Sequence, residues 1–184
     1  MAKLVGISGS LRKGSFNTAL LRAAVTLAPE GSTIETATIR GIPLYDGDVE
    51  AGGFPPAATA LKDAIAGADG VLLVTPEYNN SIPGVFKNAI DWASRPPADA
   101  ARIFAGRPFA VIGASPGRFG TILSQDAWLP VLRTLGAELW TGDRLMVWSA
   151  TGLFDADGNL TDDATRNRLR KFVAGFAAFV DARR

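Results

Sequence analysis

The stretch GSLRKGSFNT, Gly9 to Thr18, puts two glycines, three hydroxyls, an asparagine and two cations between the apolar runs Leu4 to Ile7 and Ala19 to Leu27. It contains no carboxylate. An anion arriving there would meet the unpaired amides and positive dipole of a helix start. Ser10, Ser15, Asn17 and Thr18 could donate from their side chains, and Arg12 could clamp a dianion from outside. The plainer alternative is a connection in which Ser15 or Asn17 caps the helix and the cations are solvated. No Gly-Lys-Ser/Thr ends the stretch, and Gly6, Gly9 and Gly14 lack the dinucleotide spacing. A dinucleotide fold would also place an acid after the second strand, where Thr38, Ile39 and Arg40 stand. A monophosphate fits better.

Two further polar stretches follow apolar runs. PEYNNSIPG, from Pro76, offers Glu77, Tyr78, Asn79 and Asn80, where a flat aromatic ligand could take backbone donors on its edge and a ring at its face. SPGRFGT, from Ser115, brings Ser115 and Gly117, small enough for close approach. Each stretch alone also reads as an ordinary turn.

The remaining composition narrows the chemistry. In 184 residues there is no cysteine and no histidine, so thiolate chemistry and imidazole acid/base or zinc chemistry are absent from the side chains. Demanding chemistry must therefore arrive with a cofactor. With 19 basic and 18 acidic residues, a net charge of +1 and no basic block, nucleic acid is not expected as a partner. MAKLVGISGS begins a strand at once without a signal-peptide core, and no apolar run is long enough to span a bilayer. A soluble cytoplasmic protein is expected, with no membrane partner.

The elements that must position these stretches alternate along the chain. Leu4 to Ser8, Thr33 to Ile39, Gly70 to Thr75 and Phe109 to Ala114 read as strands, with a fifth somewhere in Glu138 to Val147. GVLLVT is continuous in its apolar character, as a central parallel strand should be. Helices are expected over Asn17 to Leu27, over Ala57 to Ala68, after Pro83, from about Ile122 with a disturbance at Pro130, and after a Thr161 cap. Arg40 to Pro56 and RPPADAARIFAG read as turn-rich connections, and DADGN (Asp155 to Asn159) as a turn. Alternating units predict an α/β domain over residues 1–184, an open parallel sheet with helices on both faces. Loops leaving the carboxyl ends of its strands would meet at the switch point, bringing the three polar stretches together.

GSLRKGSFN, IPLYDGDVE (Ile42 to Glu50) and TPEYNNSIPGVFKNAIDWASR (Thr75 to Arg95) resemble the flavodoxin-like NAD(P)H-dependent FMN reductases, in the branch of quinone and chromate reductases. Order and spacing agree over nearly the whole chain. The resemblance implies a flavodoxin-like five-stranded parallel sheet of order 2-1-3-4-5, with FMN at its switch point. By position, Ser10, Arg12, Ser15, Phe16 and Asn17 would hold the FMN phosphate and adjoining chain. Pro76, Glu77, Tyr78, Asn79 and Asn80 would edge the isoalloxazine, largely through backbone groups, and Ser115 would contribute from the third loop. Asn80 stands where the family often has an aromatic residue, and SPGRFGT departs from the usual pattern of the branch. The implied activity is ping-pong hydride transfer from NADH or NADPH to small-molecule acceptors: quinones, with chromate, azo dyes or free flavin as others. The flavin N5, with no catalytic side chain and no metal, is the implied reacting atom. A homodimer or homotetramer is implied as well. A flavodoxin-type electron carrier and a non-catalytic flavin-sensing protein are the alternatives.

Overall fold

The computed structural model describes residues 1–183. Five strands form the path expected: β1 (Lys3–Ser8), β2 (Thr33–Ala37), β3 (Gly70–Val74), β4 (Pro108–Ala114) and β5 (Glu138–Leu139) lie in the order β2-β1-β3-β4-β5. Every pairing is parallel, with Leu4 opposite Gly70, Ser8 opposite Val74 and Val71 opposite Phe109. Side chains alternate across the pleat, so consecutive residues feed two cores. Leu4, Leu72, Val74 and Ile112 pack with α1 (Phe16–Thr26) and the last helix, while Val5, Ile7, Val71 and Leu73 pack with the helices on the other face. β3 is buried throughout, which explains its unbroken apolar run.

Several elements differ from the sequence expectation. The fifth strand is split: β5 pairs with Pro108 and Phe109, the chain leaves the ladder, and β6 (Leu145–Val147) rejoins β4 at Ile112–Ala114. Trp140, at the break, turns onto Phe172 and Phe176, with ring centroids 4.7 and 5.6 Å away. The turn-rich segment after β2 holds a short helix, α2 (Gly47–Gly52), capped by Asp46. Further along come α3 (Pro56–Ala66) and α4 (Gly84–Ala93), and the expected linker RPPADAARIFAG contains α5 (Pro97–Phe104). Its two prolines conceal it in the sequence, but Pro97 occupies a first-turn position where no amide is needed, and Ile103 and Phe104 are fully buried. Helix α6 (Ile122–Thr134) runs through Pro130 without a break, because the Asp126 carbonyl deprived of its partner lies at an exposed position.

The last helix, α7 (Asp163–Asp181), is capped by Asp162 rather than Thr161. Asp162 Oδ2 accepts from Thr165 N at 2.7 Å, and hydrogen bonding from Thr165, side chain first and main chain second, holds the carboxyl below its ordinary range. A depressed folded-state pKa adds stability above the unfolded value of about 3.9, and that share is lost as pH falls through the lower folded value. Asp162→Asn is therefore expected to keep the cap at neutral pH and to flatten the fall of Tm between about pH 5 and pH 2. Thermal melts across that range check it; an unchanged slope contradicts the assignment.

Candidate functional site

Three loops leave the carboxyl ends of β1, β3 and β4, and main-chain bonds stitch them into one floor. Gly9 N donates to Val74 O at 2.9 Å, Thr75 N to Ile112 O at 2.8 Å, and Ser115 N to Val147 O at 2.9 Å. Gly9 is required by packing: a Cβ there would stand 2.1 Å from Phe86 Cδ1, so the first loop lies directly on the start of α4. Ser15 is buried at the N-cap of α1, and its Oγ accepts from Thr18 N at 3.3 Å. Ser8 Oγ and Thr18 Oγ1 share a hydrogen bond of 2.9 Å. Half-buried Phe16 meets the Phe154 ring at 5.8 Å, with the Arg12 guanidinium 5.3 Å from its centroid. Ser10 is half-buried in the same loop.

Asn17 is placed differently from the expectation that its side chain serves an anion. Its Nδ2 donates to Ala114 O and its Oδ1 accepts from Ala114 N, both at 2.8 Å, at a position only 4% exposed. The side chain thus mimics a strand edge, tying the start of α1 to the end of β4. Only the main-chain amide of Asn17 remains on the helix N-terminus for a ligand.

In the second loop the paired asparagines have a backbone reason. Tyr78 and Ser81 exchange N–H···O bonds of 3.1 Å, while Asn79 and Asn80 have φ of 50° and 63°. Positive φ at both central residues is the type I′ turn, for which asparagine is favoured. An aromatic residue at 80 would strain that turn, which accounts for the departure noted at this position. Asn80→Gly should therefore leave Tm within about 2 °C, whereas Asn80→Val should cost roughly 1–2 kcal/mol; melts of the two variants decide it. The Glu77 carboxylate is tied to the helix that follows the third loop, accepting from Leu123 N and Ser124 N at 2.9 and 3.0 Å at the start of α6. Pro76 is buried and Tyr78 is 46% exposed.

In the third loop Ser115 Oγ donates to Gly120 O at 2.5 Å, so its hydroxyl proton is already committed. The loop is braced by a segment to which the sequence reading gave no role: Ser149 N donates to Gly117 O and Ala150 N to Ser115 O. That segment continues to Phe154, on Phe16, and to Asp157 and Gly158, whose carbonyls accept from Arg22 Nη2 at 2.9 and 3.1 Å. DADGN is a turn as expected, closed by Asp155 Oδ1 accepting from Asp157 N and Asn159 N. Hydrogen bonding from Asn159 holds the Asp155 carboxyl below its ordinary range. The sequence signal for the brace was the αL-prone, aspartate-rich turn beside an aromatic residue, which spacing alone could not direct to the first loop.

The floor so formed is rich in donors and poor in acids, its one carboxylate, Glu77, being engaged by two amides of α6. The model for the NADPH-dependent FMN reductases matches residues 2–151. The chain belongs to that family. This FMN reductase is 49% identical over 178 residues to an NAD(P)H-dependent FMN reductase of Pseudomonas aeruginosa, covering 97% of this chain and 95% of the relative. It is 41% identical over 182 residues to a 2-hydroxy-1,4-benzoquinone reductase of a Burkholderia species, covering 99% and 98%. Among solved structures, the flavoenzyme NAD(P)H:(acceptor) oxidoreductase FerB of Paracoccus denitrificans superposes with a TM-score of 0.88 at 35% identity, covering 99% and 98% of the two chains. The FMN reductase is thus an FMN-dependent enzyme that draws electrons from NAD(P)H, built on the flavodoxin-like fold. Among its described residues no helix is long and apolar enough to cross a membrane.

Proposed function

We propose that residues 1–184 act as one FMN-binding domain whose three loops hold the cofactor and pass two electrons from NAD(P)H to quinone-type acceptors. The observation that carries this reading is the donor-rich, acid-poor confluence of three strand ends at the switch point. The donor set fits a phosphomonoester: the N-terminus of α1 presents amides capped only at Thr18, Ser10 and Arg12 stand in the same loop, and a Cβ at Gly14 would meet nothing within 4 Å. Ser15 would set the direction of those amides as the N-cap, and Phe16 would carry Arg12 toward the anion by holding its guanidinium on the ring face.

Bound FMN supplies two-electron redox chemistry that no side chain here offers. The protein's own task is orientation and charge. In the second loop, Pro76 follows the end of β3, the type I′ turn at Asn79 and Asn80 would present its amides to the cofactor edge, and Glu77 holds the loop to α6. Fixed amides stabilise negative charge developing on a bound ring at little reorganisation cost. Tyr78 would cover a ring face, and its hydroxyl is not needed as an acid. Ser115 would border the same cavity through its main chain.

Quinone acceptors are supported by the Burkholderia relative, a 2-hydroxy-1,4-benzoquinone reductase; chromate, azo dyes and free flavin would be incidental acceptors of an open site. Exposed Tyr78 and Phe119 in the second and third loops, with exposed Leu123 at the start of α6, support a dimer or tetramer with the site near its boundary. A cytoplasmic setting suits such an enzyme. The test is the visible spectrum of purified protein, bleached anaerobically by NADPH or NADH and restored by benzoquinone, with Tyr78→Phe keeping most of the turnover. Protein that neither carries nor takes up FMN would overturn the proposal.

A further inference from the structure

Beneath the second loop, a polar network interrupts an apolar layer. Thr75, Ser124 and Trp128 are each fully buried, and the Thr75 hydroxyl meets Trp128 Nε1 at 3.2 Å, Ser124 Oγ at 2.8 Å and Pro76 O at 2.8 Å. The chemistry of the partners fixes every proton. An indole N–H can only donate and a carbonyl can only accept, so Thr75 takes a proton from Trp128 and gives its own to Pro76 O. Its second lone pair is left for Ser124, whose hydroxyl is therefore the donor. The one donor and two acceptor sites of Thr75 are then all in use.

What this network holds is a peptide plane. The Pro76–Glu77 bond is trans, so a carbonyl drawn toward Thr75 turns the Glu77 N–H the opposite way. The Glu77 carboxylate is also engaged by α6, through Leu123 N and Ser124 N. Among the described residues the Glu77 amide itself donates to nothing. A main-chain donor left open beside a fully paired carbonyl calls for water or a ligand. Stability alone gives little reason for the hydroxyls, because apolar groups of the same shape can replace a buried hydrogen-bonded pair at almost no cost.

We propose that Thr75 is a positioning residue: its hydroxyl, held by Trp128 and Ser124, locks the 76–77 peptide with the Glu77 N–H toward the cofactor and so raises the reduction potential of bound FMN. The inference rests on the reductase reading, which sets FMN against this loop. A fixed N–H favours the reduced ring, which carries the greater negative charge, over the oxidised one. Thr75, fully buried, acts only through the peptide that follows it.

Spectroelectrochemical titration of the FMN-loaded protein, with fluorescence titration of the apoprotein by oxidised FMN, tests this without turnover. Thr75→Val keeps the shape and removes the hydroxyl. It should weaken the binding of reduced FMN about tenfold more than that of oxidised FMN, which reads as a potential about 30 mV lower. Thr75→Ser should restore the wild-type potential, and Ser124→Ala, which leaves the bond to Pro76 in place, should not move it. Should the valine variant not fold, Thr75→Cys stands in: its thiol can accept from Trp128 but donates weakly, so a smaller shift of the same sign is expected. A purely structural Thr75 would lower Tm in the valine or cysteine variant and leave the potential at its wild-type value. That result, or a serine variant shifted as far as valine, overturns the inference and leaves the reductase intact. Wild-type protein that takes up no FMN overturns both.

Discussion

Asn17→Ala is expected to weaken FMN binding by about a hundredfold and to lower Tm by roughly 5–10 °C, although the lost side chain need not touch the cofactor. The amide of Asn17 satisfies both polar groups of Ala114 at a buried position. Truncation leaves a buried N–H and a buried C=O without partners, at about 1–3 kcal/mol each before water relieves part of it. The start of α1 and the end of β4 then lose the side-chain tie at Asn17, and the first and third loops can drift apart. Asn17→Asp separates this role from direct ligation. A carboxylate still accepts from Ala114 N but cannot donate to Ala114 O, and it places a negative charge at the N-terminus of α1, so flavin affinity should fall below even that of the alanine variant. Ser15→Ala is the contrast: it removes one N-cap bond and should cost about 1 kcal/mol of stability. Fluorescence titration with FMN and thermal melts give both quantities. Equal flavin affinity in Asn17→Ala and wild type would remove Asn17 from the site's architecture.

This division shows where a sequence stops being readable. The parallel sheet and the meeting of three polar loops were legible because Leu4 to Ser8 and Gly70 to Thr75 carry strand patterning and parallel connections leave little topological choice, whereas the order β2-β1-β3-β4-β5 was legible only through the resemblance to the FMN reductases. The small helix α5 was not, since Pro96 and Pro97 signal a turn as strongly as a helix start, and only burial of Ile103 and Phe104 decides between them. Asn17 illustrates a different limit. Its type and place announce a polar role, but a partner 97 residues away is a property of the folded sheet. The same holds for Glu77, a carboxylate in a loop whose partners are the amides of another helix. Asn79 and Asn80 were noticed for their donors, whereas their positive φ explains them more fully.

Lys62 shows packing beneath the site at its most demanding. Its ammonium, on a side chain 7% exposed, contacts Asp99 at 2.6 Å, donates to Arg95 O and lies 4.4 Å from the Phe54 ring centroid. Hydrogen bonds from Arg102 and then Lys62 hold the Asp99 carboxyl far below its ordinary range. This cluster joins α3, α4 and α5, and Trp92 Nε1 and Asn88 Nδ2 extend it by donating to Pro43 O. The chain after β2 is thereby fastened to α4, which in turn supports Gly9 through Phe86. The first loop thus rests on the α3, α4 and α5 face of the sheet through Phe86, while Asn17 ties the start of α1 to β4.

Gly113→Ala is expected to be among the most damaging single-methyl changes in the site, at the upper end of the roughly 1–3 kcal/mol cost of overpacking or beyond it. A Cβ at 113 would stand 2.1 Å from both Thr121 Oγ1 and Thr75 O. Gly6→Ala meets a contact nearly as short, 2.3 Å, but with the tip of Leu21, which can change rotamer. Thr75 O cannot: it is main chain at the end of β3, and Thr75 is held by its amide to Ile112 O and by its hydroxyl to Ser124. The new methyl therefore has to push the second loop from the third. For a chain of this length, 3 kcal/mol corresponds to a Tm loss of roughly 6–12 °C, and FMN affinity should fall with it because the second and third loops separate. Thr121→Ala in the same chain should recover only part of the loss, since Thr75 O still blocks the methyl. Gly14→Ala, with nothing within 4 Å of its added methyl, should melt within about 2 °C of wild type. A Gly113→Ala protein that melts and binds flavin like Gly14→Ala would show that β3 and β4 do not hold the two loops at the separation described.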